Sequence, residues 1–98
     1  MLFDEAMKLH IWNKASTVDH VDASMWRRDQ CGAWIKYTEF GNRFSDYGWE
    51  IDYILPLAEG GVHEEKNLRP LQWENQLSKR EGRLTCVLRA IGPENMRI

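Results

Sequence analysis

Trp49-Glu50-Ile51-Asp52-Tyr53-Ile54-Leu55-Pro56-Leu57, then Gly60-Gly61, Asn67-Leu68-Arg69-Pro70-Leu71-Gln72-Trp73-Glu74-Asn75 and Lys79, is the stretch on which the fold turns. Trp49 to Leu55 alternates as a strand does, and Pro56 ends it because proline cannot donate to an internal ladder. Glu59-Gly60-Gly61-Val62-His63 allows the positive φ with which a chain loops back. Asn67 to Leu71 supplies a second short strand, and Trp73 to Arg80 a short helix that Gly82 stops. The order is strand, loop, strand, helix.

Working outward, Phe3, Met7, Ile11 and Trp12 recur at helical spacing behind the acidic pair Asp4 and Glu5, which predicts an amphipathic helix ending near Ala15. Ser16 to Asp22 is polar and connects. Asp22 to Arg28 reads as a second short helix capped by Asp22. Ala33 to Tyr37 is rich in strand formers, and Phe40 to Gly48 has the glycine and Asx content of a loop. Beyond the central stretch, Leu84 to Ile91 predicts a further strand, turned by Gly92-Pro93-Glu94-Asn95 into a short return at Met96 to Ile98. The fold class expected is α+β, a single domain over residues 1–98 with its core motif in about 49–82, N-terminal helices and an added C-terminal strand.

Ninety-eight residues with 43% apolar side chains and five tryptophans suit a small folded core. No apolar stretch approaches the roughly 20 residues that span a bilayer, and Met1 to Asn13 is interrupted by Asp4, Glu5, Lys8 and His10. The expectation is a cytoplasmic protein with no membrane partner. Cys31 and Cys86 form neither a CxxC pair nor a disulfide framework, so reduced, buried thiols are expected.

The net charge of −2 hides an asymmetry: residues 1–65 hold six Lys or Arg against twelve Asp or Glu, whereas residues 66–98 hold seven against three. Phosphate contacts are therefore expected from the basic third, with Arg69, Lys79, Arg80 and Arg83 as candidates. A pI near 5.9 argues against bulk duplex binding and for local, salt-sensitive contact.

The ordered set Asp52, Gly60-Gly61, Asn67, Pro70, Asn75 and Lys79 resembles the HNH endonuclease family, whose fold is the ββα-metal, or His-Me, finger. Trp26-Arg27-Arg28-Asp29-Gln30-Cys31-Gly32-Ala33-Trp34-Ile35 and Tyr47-Gly48-Trp49 also look like the upstream part of small bacterial and phage-type members. The resemblance implies a divalent cofactor, Mg²⁺ or Mn²⁺, on Asp52 and on Asn75 from the helix, with Glu50 as a possible helper. It implies that the Asn67 amide supports the site across the loop and that Lys79, on the helical face of Asn75, meets the substrate phosphate. The two CxxC zinc knuckles of many relatives are missing, so no structural zinc site is expected.

Tyr53 stands where that family carries its general-base histidine. A free phenol titrates near pH 10, so about one part in a thousand is ionised at neutral pH, and loss of a general base costs about 10²- to 10⁴-fold in rate. His63, in the loop that crosses the site, reads as solvated, and His10 and His20 are no better placed. Trp12, Trp26, Trp34 and Trp49 read as core, with Trp73 the one to watch for ligand contact. The functional expectation is an HNH-fold protein with a lapsed nuclease site that binds nucleic acid, a nucleotide or another phosphate ligand. A phage-type accessory or counter-defence role, or a protein partner, fits that reading. The alternative is an active metal-dependent endonuclease acting on DNA phosphodiesters.

Overall fold

Asp4 opens the first helix by accepting the Met7 amide at 2.8 Å, which fills one of the donors that a helix start leaves bare. In the computed structural model, which describes residues 3–80 and 83–98, this helix, α1, runs Glu5–Trp12. It ends before Ala15 because the amides of Lys14 and Ala15 turn back tightly onto the carbonyls of Ile11 and Trp12. Ile11 and Trp12 are buried at its end.

Three antiparallel two-stranded ribbons complete the α+β architecture: β1 (Trp26–Arg28) with β2 (Trp34–Lys36), β3 (Trp49–Tyr53) with β4 (Leu68–Gln72), and β5 (Leu88–Ile91) with β6 (Glu94–Arg97). A short helix, α2 (Trp73–Leu77), follows β4 without a loop. The helix expected over residues 22–28 does not form. The Asp22 carboxylate holds the amide and hydroxyl of Ser24 in a turn, and Trp26, Arg27 and Arg28 pair across to Lys36, Ile35 and Trp34.

The core is built from Ile11, Trp12, Ala15, Ile35, Trp49, Ile51 and Leu68. Trp12 and Trp49 meet at 5.2 Å between centroids, and Phe40 stands edge-on to Trp49 at 4.8 Å. Several indoles also fix loops: Trp12, Trp34, Trp49 and Trp73 donate their N–H groups to the carbonyls of Ala23, Gly92, Tyr37 and Ser45. Gly48 has to be glycine, because a Cβ there would sit 1.9 Å from the Asn42 carbonyl oxygen.

A second buried centre is polar. Asp29 is 2% exposed and accepts four hydrogen bonds: from the amides of Cys31 and Ala33 at one oxygen, and from the Gln72 amide and the Asn75 side chain at the other. Burial pushes its carboxyl above the usual value near 3.8, and these four donors pull against that rise. The Asn75 oxygen in turn accepts the amides of Val87 and Leu88, and its nitrogen also donates to the Leu88 carbonyl. The strand expected from Leu84 is therefore shortened to begin at Leu88. Gly92, with φ of 59°, and Pro93, whose ring fixes a negative φ, make the two-residue turn of the type II′ pattern between β5 and β6.

Cys31 and Cys86 are joined in a disulfide, which corrects the expectation of reduced, buried thiols; Cys31 is half-buried and Cys86 exposed. Spacing alone hid this pairing, because the loop it closes spans 55 positions and depends on how the C-terminal ribbon docks. The expectation of a cytoplasmic setting loses the support that reduced thiols would give it. No helix among the described residues is long and apolar enough to cross a membrane. The proposed stop at Gly82 lies outside the described residues.

Two outcomes follow for stability. Asp29→Asn puts an amide N–H₂ where an oxygen now receives two donors, and should cost about 2–5 kcal/mol in urea denaturation. The folded Asp29 value lies above the unfolded one, so the native state binds the proton more tightly and stability tied to this group falls as pH rises above the ordinary value near 3.8. The variant should lack that falling component when curves are compared from about pH 3.5 to 6. Reduction of the disulfide should cost about 2–5 kcal/mol, read as a lower Tm with dithiothreitol than without.

Candidate functional site

Asp52 sits in β3 directly opposite Arg69 in β4, a register that brings carboxylate and guanidinium to one face of the ribbon. Arg69 Nε donates to Asp52 Oδ2 at 2.8 Å, and Lys79 Nζ donates to Oδ1 at 2.9 Å. The Asp52 side chain is 3% exposed, with Arg69 at 13% and Lys79 at 11%. Lys79 also donates to the Tyr53 carbonyl at 2.7 Å, and Arg69 Nη1 to Gln30 Oε1 at 3.0 Å. Removing an anion this deep from water is expensive, and the pair of cations is what makes the burial tolerable.

The loop after β3 is closed by Asn67. Its oxygen accepts the Leu55 amide at 2.8 Å, and its nitrogen donates to the carbonyls of Leu55 and Val62, each at 2.9 Å. Gly61 passes under this amide so closely that a Cβ would lie 1.8 Å from the Leu55 carbonyl oxygen. The loop therefore holds one shape, and His63 leaves it in a fixed direction.

His63 is exposed, as expected, but it is not free. Its Nδ1 and the Tyr53 hydroxyl are hydrogen-bonded at 2.7 Å, with the phenol as donor whenever Nδ1 carries no proton. Phe3 packs near both rings, at 5.2 Å from His63 and 6.3 Å from Tyr53. A side chain on α1's approach and one on the loop thus define where the phenol points.

Asn75 is placed differently from the ligand position expected of it. It is fully buried, with both amide hydrogens and both oxygen lone pairs engaged by Asp29, Val87 and Leu88. Lys79 does not share its helical face, because α2 ends at Leu77, where the Ser78 hydroxyl donates to the Glu74 carbonyl. Lys79 then turns toward Asp52 while Asn75 turns to the core. Glu50 is held by Arg43 through contacts of 2.6 and 2.9 Å. With both Asp52 oxygens on cations, the Asn75 oxygen on amides and Glu50 on Arg43, the donor set as arranged does not fit a divalent ion. Among the described residues no group of three or more His, Cys, Asp or Glu comes together to hold a metal.

Arg80 and Arg83 exchange two backbone hydrogen bonds, at 3.0 and 2.8 Å, and both are exposed; neither lines the Asp52 cleft. Trp73 packs against Gly48 and bonds Ser45, so it belongs to the loop scaffold. What is brought together is an open cleft of about 560 Å³ lined by Asp52, Tyr53, Gln76 and Lys79 on its polar side and by Ile51, Pro56, Leu57 and Leu77 on its apolar side. The sequence pattern reached Asp52, Tyr53 and Lys79 but gave no signal for Gln76 or for His63 as the partner of Tyr53. No family model, no curated protein and no solved structure matches this chain.

The ion cluster makes a clear prediction. Asp52→Ala leaves two half-buried cations without their shared anion and should cost about 3–5 kcal/mol in chemical denaturation. Asp52→Ala combined with Lys79→Met should recover part of that loss, because one of the uncompensated charges is gone.

Proposed function

We propose that this chain is an HNH-like ββα protein whose Asp52 cleft binds the phosphate of a nucleic acid or nucleotide without efficient cleavage. The β3–β4 hairpin leading straight into α2, with Asn67 across the loop, supports the ββα reading. The observation that carries the functional reading is the state of Asp52. Its two oxygens are held by Arg69 and Lys79, so the centre is a cation cluster with one unit of excess positive charge rather than a waiting carboxylate.

An arriving phosphate competes with Asp52 for Lys79. The lysine stem lies beyond the last turn of α2 and its ammonium is a mobile point charge, so it can turn from one anion to the other. Arg69 keeps Asp52 paired meanwhile. Leu57 and Leu77 give the same cleft an apolar wall for a sugar or base beside the phosphate.

One observation favours the second reading, phosphodiester hydrolysis. The Tyr53–His63 hydrogen bond puts an imidazole against the phenol, so His63 can accept, through the Tyr53 hydroxyl, the proton of a water that attacks phosphorus, while one P–O ester bond breaks and the leaving oxygen takes a proton from solvent.

The two readings separate in one assay series. Labelled single-stranded DNA should bind with an affinity that falls as salt rises, Lys79→Gln should weaken it, and plasmid should remain uncut with Mg²⁺ or Mn²⁺ present. His63→Ala should leave binding intact. Cutting by the unaltered protein, lowered about 10²- to 10⁴-fold by His63→Ala, would replace the binding reading with the hydrolytic one.

A further inference from the structure

Arg28 ends β1, and its backbone exchanges two hydrogen bonds of 2.9 Å with Ser16. Its guanidinium lies over the Trp34 ring, 4.7 Å from the centroid. Trp34 is itself immobilised: its indole N–H donates to Gly92, and its amide and carbonyl are held by the Asn95 side chain. The contact holds the guanidinium against a ring that is itself fixed.

Nothing among the described residues accepts from the Arg28 Nε–H, which is buried. A buried donor left unpaired costs about 1–3 kcal/mol, and native structures leave few of them. Arg28 lines an open cleft of about 590 Å³ together with Ser16, Thr17, Asp19, Gln30 and the buried Asp29, whose carboxylate is already taken up by four donors. Asp19 is exposed there and forms no ion pair with Arg28. The cleft thus has on its wall a guanidinium whose buried Nε–H no described group accepts, beside two hydroxyl side chains and the carboxylates of Asp19 and Asp29.

Side-chain contacts lead from this cleft toward the Asp52 centre, where Arg69 holds Asp52 at 2.8 Å. Ser16 and Gln30 also line the neighbouring cleft, with Lys14 and Arg69, and the Gln30 side-chain oxygen accepts from Arg69. Lys14 donates to the backbone carbonyls of Glu65 and Leu68, so no carboxylate neutralises it. Successive cations, Lys79 and Arg69 on Asp52, then Lys14, then Arg28, lie along three neighbouring clefts in a chain whose overall charge is negative. A phosphodiester strand repeats its charge at every unit and matches such a row; a single carboxylate or free phosphate would occupy one position and leave the others idle.

We propose that Arg28 is a second phosphate site and that, through Lys14 and Arg69, it extends the Asp52 cleft into a track for a nucleic-acid strand. This rests on the phosphate-binding reading of that cleft. The recruitment of Lys14 and Arg28 from the acidic two-thirds of the chain is not visible in the charge asymmetry, which points to the C-terminal third.

The test uses the whole protein, ¹⁵N-labelled, titrated with octathymidylate and separately with inorganic phosphate while the Arg28 Nε–H resonance is followed. Affinity for labelled octathymidylate is measured over a salt series for the unaltered protein, Arg28→Gln, Arg28→Lys and Lys79→Gln. Octathymidylate should shift the Arg28 signal. Arg28→Gln should weaken binding about tenfold and lower the slope of log affinity against log salt by about 0.7, the value for one phosphate contact on a single strand. Arg28→Lys should restore the slope, which also controls for loss of folding. An unshifted Arg28 signal with an unchanged slope in Arg28→Gln, while Lys79→Gln lowers it, would overturn the track and leave the cleft standing. Failure of the unaltered protein to bind octathymidylate would remove both. A shift with inorganic phosphate but none with octathymidylate would overturn the assignment to a strand.

Discussion

The buried carboxylate of Asp29, surrounded by donors and without a cation, is the constraint on which the other elements depend. Its four hydrogen bonds come from its own loop, from the last residue of β4 and from the first helical turn after it. Asn75 carries the same network on to Val87 and Leu88, where the C-terminal ribbon begins. A slip of any of these segments would strand a buried donor or acceptor, so the network selects one arrangement even where apolar packing would tolerate several. The disulfide works in parallel. Cys31, whose amide bonds Asp29, is tied to Cys86, one residue before the first amide that Asn75 receives.

Asp52 is buried as deeply as Asp29 but solved in the opposite way, with two cations in place of neutral donors. The difference has a functional consequence. The neutral donors of Asp29 are three backbone amides and an Asn75 side chain locked on both ends, whereas the cations of Asp52 are side chains of unequal freedom. Arg69 lies in a strand and is braced by Gln30, while Lys79 follows the end of a short helix on a flexible stem. In the proposed reading Arg69 keeps the buried charge paired and Lys79 is the member that a ligand phosphate can draw away.

Much of this was legible in the residues. Alternation from Trp49, the break at Pro56, the glycines of the loop and the asparagine after it gave the hairpin and the helix that follows, because each depends on local backbone chemistry. Asp22 misled: an Asx residue ahead of an apolar run also begins a turn, and the choice of turn over helix was made by pairing to Ile35 and its neighbours. Asn75 and Lys79 were read as sharing a face on the assumption that the helix continues; it stops at Leu77, and the two side chains diverge. Cys31 with Cys86, and Tyr53 with His63, were beyond reach for one reason. Each pair is made by how separate segments dock, and spacing in a single chain carries no record of that.

Tyr53 puts a phenol, not an imidazole, on the wall of the cleft. The phenol lines the cleft beside Asp52 and Lys79, and its hydroxyl bonds an imidazole supplied by the loop. His63 itself lines a different groove, beside Asp4, Met7, His10 and Glu65. An imidazole thus stands behind the phenol rather than in the cleft. In the proposed reading a proton leaving the cleft for His63 has to pass through the Tyr53 hydroxyl, a relay of two transfers in place of one. Phosphate binding at Lys79 needs no such relay, and in the proposed reading that asymmetry favours holding a phosphate over breaking its ester.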